Sequence, residues 1–295
     1  MATALPRPVQ LKLEQTLGQW RHWQCAEPLD GPPQVQRLLG QGHSNYSVLV
    51  VRDCAYVVRI DGINPLDHGL HRQAEWRALQ AAHRAGLAPR PCYFNPELGS
   101  LVCEFLPADE GSNPGPLEVA VLLKGIHRLP GTHHRLDLRE RISRYERALV
   151  QRDPRRMARL NSMRAGTLAC LERRLARPAG KVLCHNDLLR ANRIYSGGSL
   201  RAIDWEYSAM AEAWYDLAVV VCGDNLSPRE QAVLLAAYLG REPDSGEASA
   251  LRDYAVVYRY LELLWYLAQN HPAMDESGET EALRRLSQAI DATAV

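Results

Sequence analysis

Two short apolar runs with a glycine turn between them constrain the fold of this chain more than any other feature. Residues 181–184 and 200–203 each predict a strand, and Ser196-Gly-Gly-Ser199 supplies residues that can reverse the chain. Asn192 and Asp204 lie on either side of this turn. We therefore expect a β-hairpin that returns these two polar side chains to one place.

The polar residues around the hairpin are the types that phosphoryl transfer requires. That reaction needs Mg²⁺ to neutralise the transferred group and a carboxylate to orient and deprotonate the attacking hydroxyl. Asp187 follows the first run, on a predicted loop at a strand end, and a general base there typically contributes about 10² to 10⁴ in rate. Asn192 and Asp204 offer hard oxygen ligands of the kind that Mg²⁺ prefers. The sequence thus predicts Asp187 as base and Asn192 and Asp204 as metal ligands.

The order His185-x-Asp-x-x-x-x-Asn192, followed by Ile203-Asp-Trp-Glu-Tyr207, resembles the catalytic core of the aminoglycoside phosphotransferase and choline kinase superfamily, distant relatives of protein kinases. It is most similar to the bacterial choline/ethanolamine kinase-like branch, with thiamine kinase-like proteins close behind. The resemblance implies ATP and Mg²⁺ as cofactors. It also implies that His185, in the catalytic loop, stabilises that loop and does not react.

The remaining pattern predicts an α+β chain with a bilobal, protein-kinase-like fold. Apolar, β-branched runs in the first third indicate a small antiparallel sheet with one helix, and a polar, breaker-rich segment at residues 107–116 follows. Beyond it the pattern is mainly helical apart from the hairpin. We expect a nucleotide-binding lobe at residues 1–106 and a catalytic, acceptor-binding lobe at 107–295. The predicted strands are 35–39, 46–51, 56–60, 92–94 and 101–105; the predicted helices are 69–85, 117–129, 136–150, 155–176, 227–239 and 248–270.

The segment from Gly40 to Asn45, which includes Gly42 and Ser44, is a candidate phosphate-binding loop. It lies between two predicted strands, and glycine permits close approach and positive φ, so that backbone N–H groups can contact phosphates. An ordinary tight turn would have the same pattern. The alternative stays open at this point, and the hairpin favours the phosphate-binding interpretation.

Other nucleotide contacts are expected on the strands and the first helix of the small lobe. Arg59 ends the third strand, where the superfamily resemblance implies a cation that binds the α and β phosphates, and arginine can do so with two hydrogen bonds. Glu75 would pair with Arg59, or would be an exposed helix acid. The backbone from Glu104 to Leu106 would form the hinge that meets adenine.

Aromatic residues on the last long helix are the candidates for acceptor recognition. Tyr and Trp total eighteen, and their rings attract a quaternary ammonium by roughly 0.5 to 2 kcal/mol each when desolvated. Packing in the core would explain the same residues. Glu262 favours a cationic ligand, because an unpaired carboxylate is costly to bury in so apolar a helix. The acceptor-binding residues are predicted to be Glu206, Tyr258, Glu262, Trp265 and Tyr266.

Composition excludes several other classes of protein. The net charge is +1, which gives no field for nucleic acid or an anionic membrane. No secretory signal or run of eighteen apolar residues is present, and the seven cysteines have no zinc spacing, so we expect a cytoplasmic protein whose partners are ATP and a small molecule.

The sequence leaves the acceptor and the oligomeric state open. Choline or ethanolamine is favoured, thiamine is the next candidate, and an aminoglycoside or amino sugar is third because the chain has no dense acidic cluster. A pseudokinase that binds ATP without turnover is the alternative outside enzymes. A protein that only binds ATP would have no chemical need for a base and two metal ligands together.

Overall fold

The computed structural model of the protein describes residues 5–41 and 45–293. Two compact units are present: Met1–Pro114 with Thr132–His134 and Asn192–Ser208, and Gly115–Gly131 with Arg135–Ala191 and Ala209–Val295. In chain order the elements are α1 (Arg7–Gly18), β1 (Gln34–Gln41), β2 (Asn45–Arg52), β3 (Cys54–Asp61), α2 (Arg72–Arg84), β4 (Pro91–Asn95), β5 (Ser100–Glu104), α3 (Pro116–His127), α4 (Leu138–Arg152), α5 (Pro154–Arg159), α6 (Asn161–Leu175), β6 (Lys181–Cys184), β7 (Arg193–Ser196), β8 (Ser199–Ala202), β9 (Ala209–Glu212), α7 (Ala213–Gly223), α8 (Pro228–Leu239), α9 (Ser245–Gln269) and α10 (Glu276–Asp291).

The first unit is built on the predicted five-stranded sheet, whose order is β1-β2-β3-β5-β4 with every neighbour antiparallel. Val50, Val58 and Val102 form its buried core. Helix α1 packs on this core through Val9 and Leu13, which are four residues apart and so share one helix face. This helix was not predicted from the sequence.

The glycine turn forms a β-hairpin, but its first strand is β7; the predicted strand at 181–184 is β6, which pairs with β9 instead. Strands β7 and β8 pair antiparallel, with Ser196 opposite Ser199, and both Gly197 and Gly198 have positive φ. Their N–H groups donate to the two carboxylate oxygens of Asp109 at 3.0 and 2.9 Å. The polar segment that follows β5 is thereby attached to the hairpin within the first unit.

The second unit is mainly helical around the apolar helix α9. Val257, Tyr260, Leu264 and Leu267 are buried, which confirms the predicted core helix. Strand β6 pairs with β9, a strand that the sequence did not reveal. The single helix predicted over residues 155–176 is wrong, because the structure divides it into α5 and α6 at Leu160.

Local signals agree with the observed helix ends. Ser227 and Glu230 form the predicted capping box at the start of α8, each accepting from the other's backbone N–H. Among the described residues, no helix combines the length and apolar character that a membrane span requires. The small antiparallel sheet and the mainly helical remainder confirm the α+β class.

Candidate active site

A buried ion-pair cluster in the first unit brings together several of the predicted site residues. Arg59 on β3 lies 2.5 Å from Glu75 Oε1 and 3.1 Å from Asp204 Oδ1. The predicted pair between Arg59 and Glu75 is therefore confirmed. Burial acts to lower the pKa of Arg59, but the Glu75 and Asp204 carboxylates outweigh it and hold that pKa well above its usual value. Arg59 is thus a fixed, permanently charged group.

A second arginine completes this cluster. Arg72, at the start of α2, donates to Glu75 Oε2 at 2.9 Å and to Glu206 Oε2 at 3.0 Å. It also donates to Asp61 Oδ1 at 2.5 Å and to Asn45 Oδ1 at 2.9 Å. Asn45 in turn donates to Glu206 at 2.7 Å. Neither Arg72 nor Asp61 was predicted as a site residue, because no local pattern distinguishes a buried charged residue from an exposed one.

The charges of the cluster fit a divalent cation. Four carboxylates, those of Asp61, Glu75, Asp204 and Glu206, form ion pairs with two guanidinium groups, those of Arg59 and Arg72. Burial and the negative charge of Glu206 raise the pKa of Asp204 to about 7, with Arg59 opposing them. The Asp204 side chain keeps 37% of its surface exposed. A partly exposed carboxylate whose negative charge is not fully balanced by neighbouring cations is a suitable Mg²⁺ ligand.

The hairpin sets the position of Asp204. Ile203 N donates to Asn192 O at 2.9 Å, so Asn192 and Asp204 leave the two ends of the hairpin at neighbouring positions. Asp204 has a φ of 59°, a left-handed conformation that is uncommon for a residue other than glycine. The buried Trp205 follows, with its indole N–H donating to Ala202 O at 3.1 Å. Local strain of this kind often occurs at functional positions.

The candidate phosphate-binding loop is described in part. Gly42 and Ser44 lie outside the described residues. Gly40 is within β1 opposite Ser47 and is not among the positive-φ glycines, and no atom of the described residues beyond its chain neighbours lies within 4 Å of where a Cβ would stand. Positive φ is thus not the reason for glycine there, whereas the open space suits close approach by a ligand.

The predicted hinge lies at the end of β5. Glu104 N donates to Arg90 O at 2.9 Å and Phe105 N donates to Ala55 O at 3.0 Å, while Leu106 is buried. These two N–H groups therefore hold the segment against its neighbours in the first unit. The predicted contact with adenine stays a prediction.

In the second unit, Asp216 fixes the loop that contains His185 and Asp187. Its carboxylate accepts from the backbone N–H groups of His185 and Asn186, both at 2.8 Å. Both His185 and Asp216 have no exposed surface. The notion that Asp216 stabilises backbone near the catalytic loop is confirmed.

His127 extends the contacts of Asp216. Its Nε2 lies 3.1 Å from Asp216 Oδ2, and its Nδ1 lies 2.8 Å from the hydroxyl of Tyr238. A carboxylate only accepts, so Nε2 carries a hydrogen and donates to Asp216. Burial would raise the pKa of Asp216, but His127 lowers it below its usual value. His127, Cys184 and Asp216 have potential metal-ligand atoms within 4.8 Å of one another, yet these hydrogen bonds already use the carboxylate.

Asp187 lies among aromatic residues of the second unit. Burial raises the pKa of Tyr258 and Tyr266, and the negative charges of Glu262 and Asp187 raise both further. Tyr258 donates to Glu262 Oε1 at 3.1 Å. Burial also raises the pKa of Glu262, while Tyr258 and Arg259 act in the opposite direction. A predicted base, a half-buried carboxylate and two tyrosines therefore share one region.

Trp265 and Tyr266 form a further aromatic cluster at the end of α9. Their rings are 5.0 Å apart in an edge-to-face arrangement, and the ring of His271 is 4.8 Å from Tyr266. Tyr215, on α7, packs edge-to-face against Tyr258 at 6.5 Å. Sequence reasoning identified Tyr258, Trp265 and Tyr266 from helical spacing but missed His271 and the role of Tyr215 in this packing.

The comparison with protein families agrees with the residues just described. A family model described as "Phosphotransferase enzyme family" matches residues 35–252. The chain belongs to this family. The resemblance inferred from the motif at residues 185–207 is therefore confirmed, and the protein is a small-molecule phosphotransferase.

Known members of this phosphotransferase family and solved structures share most of the chain. Thiamine kinase of Salmonella typhimurium is 28% identical over 200 residues, which cover 67% of this chain and 69% of that protein. The crystal structure of choline kinase LicA from Streptococcus pneumoniae has a TM-score of 0.75 and 21% identity, covering 96% of this chain and 99% of its own. A structure of LicA in complex with AMP has a TM-score of 0.76 and 20% identity, covering 98% and 100%. The two structures establish the predicted kinase-like fold.

The predicted site residues of this phosphotransferase divide between the two units. One cluster contains Asn45, Arg59, Glu75, Asp204 and Glu206, and the other region contains Asp187, Tyr258, Glu262 and Tyr266. Glu206, predicted to bind the acceptor, makes its hydrogen bonds with Asn45 and Arg72 in the first unit. The individual roles stay predictions.

Proposed function

We propose that the protein transfers the γ-phosphoryl group of ATP, with Mg²⁺, to the hydroxyl of a small cationic alcohol, and that choline or ethanolamine is the acceptor. The observation that carries this proposal is the set of side chains near Asp187. Its charge acts on Tyr258 and Tyr266 together with that of Glu262. A base, a carboxylate and aromatic rings in one region are the groups needed to bind a cationic alcohol by its charge and to activate its hydroxyl.

Each predicted residue has a defined part in this reaction. Asp187 accepts the proton of the acceptor hydroxyl. His185, which is buried and stands two residues before Asp187, stabilises the loop. Arg59, fixed by Glu75, binds the phosphates. Asn192 and Asp204 would hold Mg²⁺, which would supply the positive charge that the transferred phosphates need.

The donor site is proposed on the first unit. The loop from Gly40 to Asn45 would contact the phosphates, and the backbone at Glu104 and Leu106 would contact adenine. LicA, which shares the fold, has been crystallised with AMP. This supports a nucleotide donor, and the permanently charged Arg59 supports phosphate binding.

Recognition of the acceptor is proposed to depend on Glu262 and the surrounding rings. Burial opposes ionisation of Glu262, and a bound cation would favour its ionised form. Tyr258, Trp265 and Tyr266 supply ring faces that a quaternary ammonium would contact. Choline and ethanolamine have both the cation and a hydroxyl close to it.

Thiamine is the second candidate, because a thiamine kinase is among the similar proteins. Its thiazolium cation would also be attracted by tyrosine and tryptophan rings. The distinction therefore depends on the size of the space around Glu262. An aminoglycoside, which carries several positive charges, ranks third.

A coupled assay of ADP release with each acceptor tests the proposal. Choline or ethanolamine should give the highest kcat/KM among choline, ethanolamine, thiamine and kanamycin. The matched control is 3,3-dimethyl-1-butanol, which has the shape of choline without its charge. Loss of about 2 kcal/mol of cation–π attraction predicts roughly 30-fold weaker binding of this alcohol.

Three outcomes would contradict the proposal. Preference for thiamine by tenfold or more would replace choline as the acceptor. Equal use of choline and its neutral analogue would remove the role of charge. Binding of ATP without turnover of any acceptor would indicate a pseudokinase.

A further inference from the structure

Arg72 makes more side-chain hydrogen bonds than are used by any role assigned so far, and no part of the proposed reaction yet includes it. It is buried, with 8% of its surface exposed. Its guanidinium donates to three carboxylates and one amide, those of Asp61, Glu75, Glu206 and Asn45. Burying an arginine is costly unless its donors are satisfied, and here the fork geometry satisfies them.

Three of these partners adjoin different parts of the proposed donor site. Glu75 uses its other carboxylate oxygen to hold Arg59 at 2.5 Å. Glu206 is two residues beyond Asp204, and Asn45 is the last residue of the candidate phosphate-binding loop. A single guanidinium therefore joins the groups next to the phosphate-binding arginine, the metal ligand and the loop.

We propose that Arg72 is a positioning residue for the nucleotide and its metal ion. It fixes Glu75, Glu206 and Asn45 relative to one another, so that Arg59 and Asp204 are held in the geometry that the phosphates require. The inference rests on the proposed function in one respect, namely that MgATP is the donor. It does not depend on which alcohol is phosphorylated.

The same contacts assign Glu206 to the donor side. Its Oε2 accepts from both Arg72 and Asn45 at 3.0 and 2.7 Å, and the residue is buried with 5% of its surface exposed. This oxygen is used within the cluster that also contains Arg59 and Asp204. Loss of the Glu206 charge should therefore weaken nucleotide binding and leave choline binding unchanged.

The test is calorimetric titration of Arg72→Lys with MgADP and, separately, with choline. Lysine keeps the charge, but its single ammonium group cannot reproduce the fork that reaches four partners. Loss of such a supporting contact typically costs about 10- to 100-fold in metal affinity or activity. We expect the Kd for MgADP to rise by about tenfold or more, with the Kd for choline unchanged. Arg84→Lys, an exposed arginine on the same helix, is the matched control.

Steady-state kinetics give a second measurement that a purely structural role would not produce. The KM for ATP should rise while the KM for choline stays within about twofold of the wild-type value. Equal losses in both KM values would overturn the proposal. So would an unchanged MgADP affinity in an Arg72→Lys protein that remains folded by circular dichroism.

Glu206→Gln tests the same connection without changing Arg72, and so covers the case in which Arg72→Lys does not fold. It should also weaken MgADP binding while leaving choline binding intact. If Arg72 acts through Glu206, the double variant will bind MgADP no more weakly than the worse single variant. Fully additive losses would overturn that connection.

The two proposals can fail separately. Wild-type protein that binds MgADP but phosphorylates none of the acceptors would overturn the proposed function and leave the role of Arg72 standing. Wild-type turnover of choline combined with unaltered MgADP affinity in Arg72→Lys would overturn only the role of Arg72.

Discussion

Replacing Asp216 with asparagine should break hydrogen bonds that hold the loop containing His185 and Asp187. The carboxylate now accepts from two backbone N–H groups, those of His185 and Asn186, and from the imidazole of His127. Asparagine has a single acceptor oxygen, and its NH₂ group would face a donor. At least one backbone N–H in a fully buried region would lose its partner.

The expected loss of stability follows from this geometry. A hydrogen bond to a charged group contributes about 1.5–3 kcal/mol, and a buried donor without a partner costs about 1–3 kcal/mol. Asp216→Asn should therefore lower the free energy of unfolding by about 3–5 kcal/mol. For a chain of 295 residues, whose unfolding entropy is about 0.6 kcal/mol/K, that corresponds to a fall in Tm of about 5 to 8 °C.

The dependence on pH adds a sharper check. His127 holds the pKa of Asp216 below the usual value of 3.8. The stabilisation by the ionised carboxylate is therefore present above pH 3.8 and is lost as the pH falls towards the lower folded-state pKa. The difference in Tm between the wild type and Asp216→Asn should have its full value at pH 7 and should become smaller below about pH 4.

Differential scanning calorimetry at several pH values measures both effects, with turnover of the best acceptor recorded in parallel. The matched control is Asp291→Asn, an exposed aspartate on α10. A fall in Tm of less than about 2 °C for Asp216→Asn at pH 7 would refute the reasoning, since it would mean less than about 1 kcal/mol. An equal fall in the control would refute it too.

Three further predictions concern individual site residues. Asp187→Asn should lower turnover by about 10² to 10⁴ without changing MgADP affinity by calorimetry; turnover near the wild-type rate would exclude Asp187 as the base. Arg59→Lys should raise the KM for ATP about tenfold more than the KM for the acceptor, because lysine cannot contact Glu75 and the phosphates with a fork. Glu262→Gln should raise Tm at pH 7 and leave it unchanged below about pH 4. Burial raises the pKa of Glu262 above 4.5, so the stability that its neutral form provides is lost as the pH rises through that pKa, whereas glutamine stays neutral. A Tm gain that is the same at both pH values would contradict this.

The parts of the fold that were predictable are those with local sequence signals. The small sheet follows from runs of β-branched residues between turns, and the hairpin follows from Gly197 and Gly198. The helix α9 follows from an apolar pattern longer than twenty residues. These features need no knowledge of distant partners, and the structure confirms them.

Elements that depend on distant contacts were missed. Strand β9 exists because it pairs with β6, and nothing in its four residues identifies that partner. The break at Leu160 lacks a glycine or proline, so the sequence predicted one continuous helix. The amphipathic helix α1 was overlooked in a region dominated by strand signals.

The candidate site was predictable in its residue types but not in its connections. The motif identified Asp187, Asn192 and Asp204, and it suggested a partner for Arg59. It could not identify Arg72, because a charged residue is buried only when tertiary structure brings partners to it. The acceptor-binding role predicted for Glu206 stays a prediction, and for the same reason its hydrogen bonds with Arg72 and Asn45 could not be predicted.

The presence of residues 192–208 in the first unit has a consequence for biosynthesis. As the nascent chain leaves the ribosome, the five-stranded sheet emerges well before the hairpin does. Until the hairpin emerges, Arg72 lacks its partner Glu206, and Asp109 lacks the N–H groups of Gly197 and Gly198. Pairing over such a long separation in sequence slows folding. We expect a fragment that stops at Pro114 to be prone to aggregation until the missing segment is supplied, because the hydrogen-bond partners of Arg72 and Asp109 in residues 192–208 are translated later.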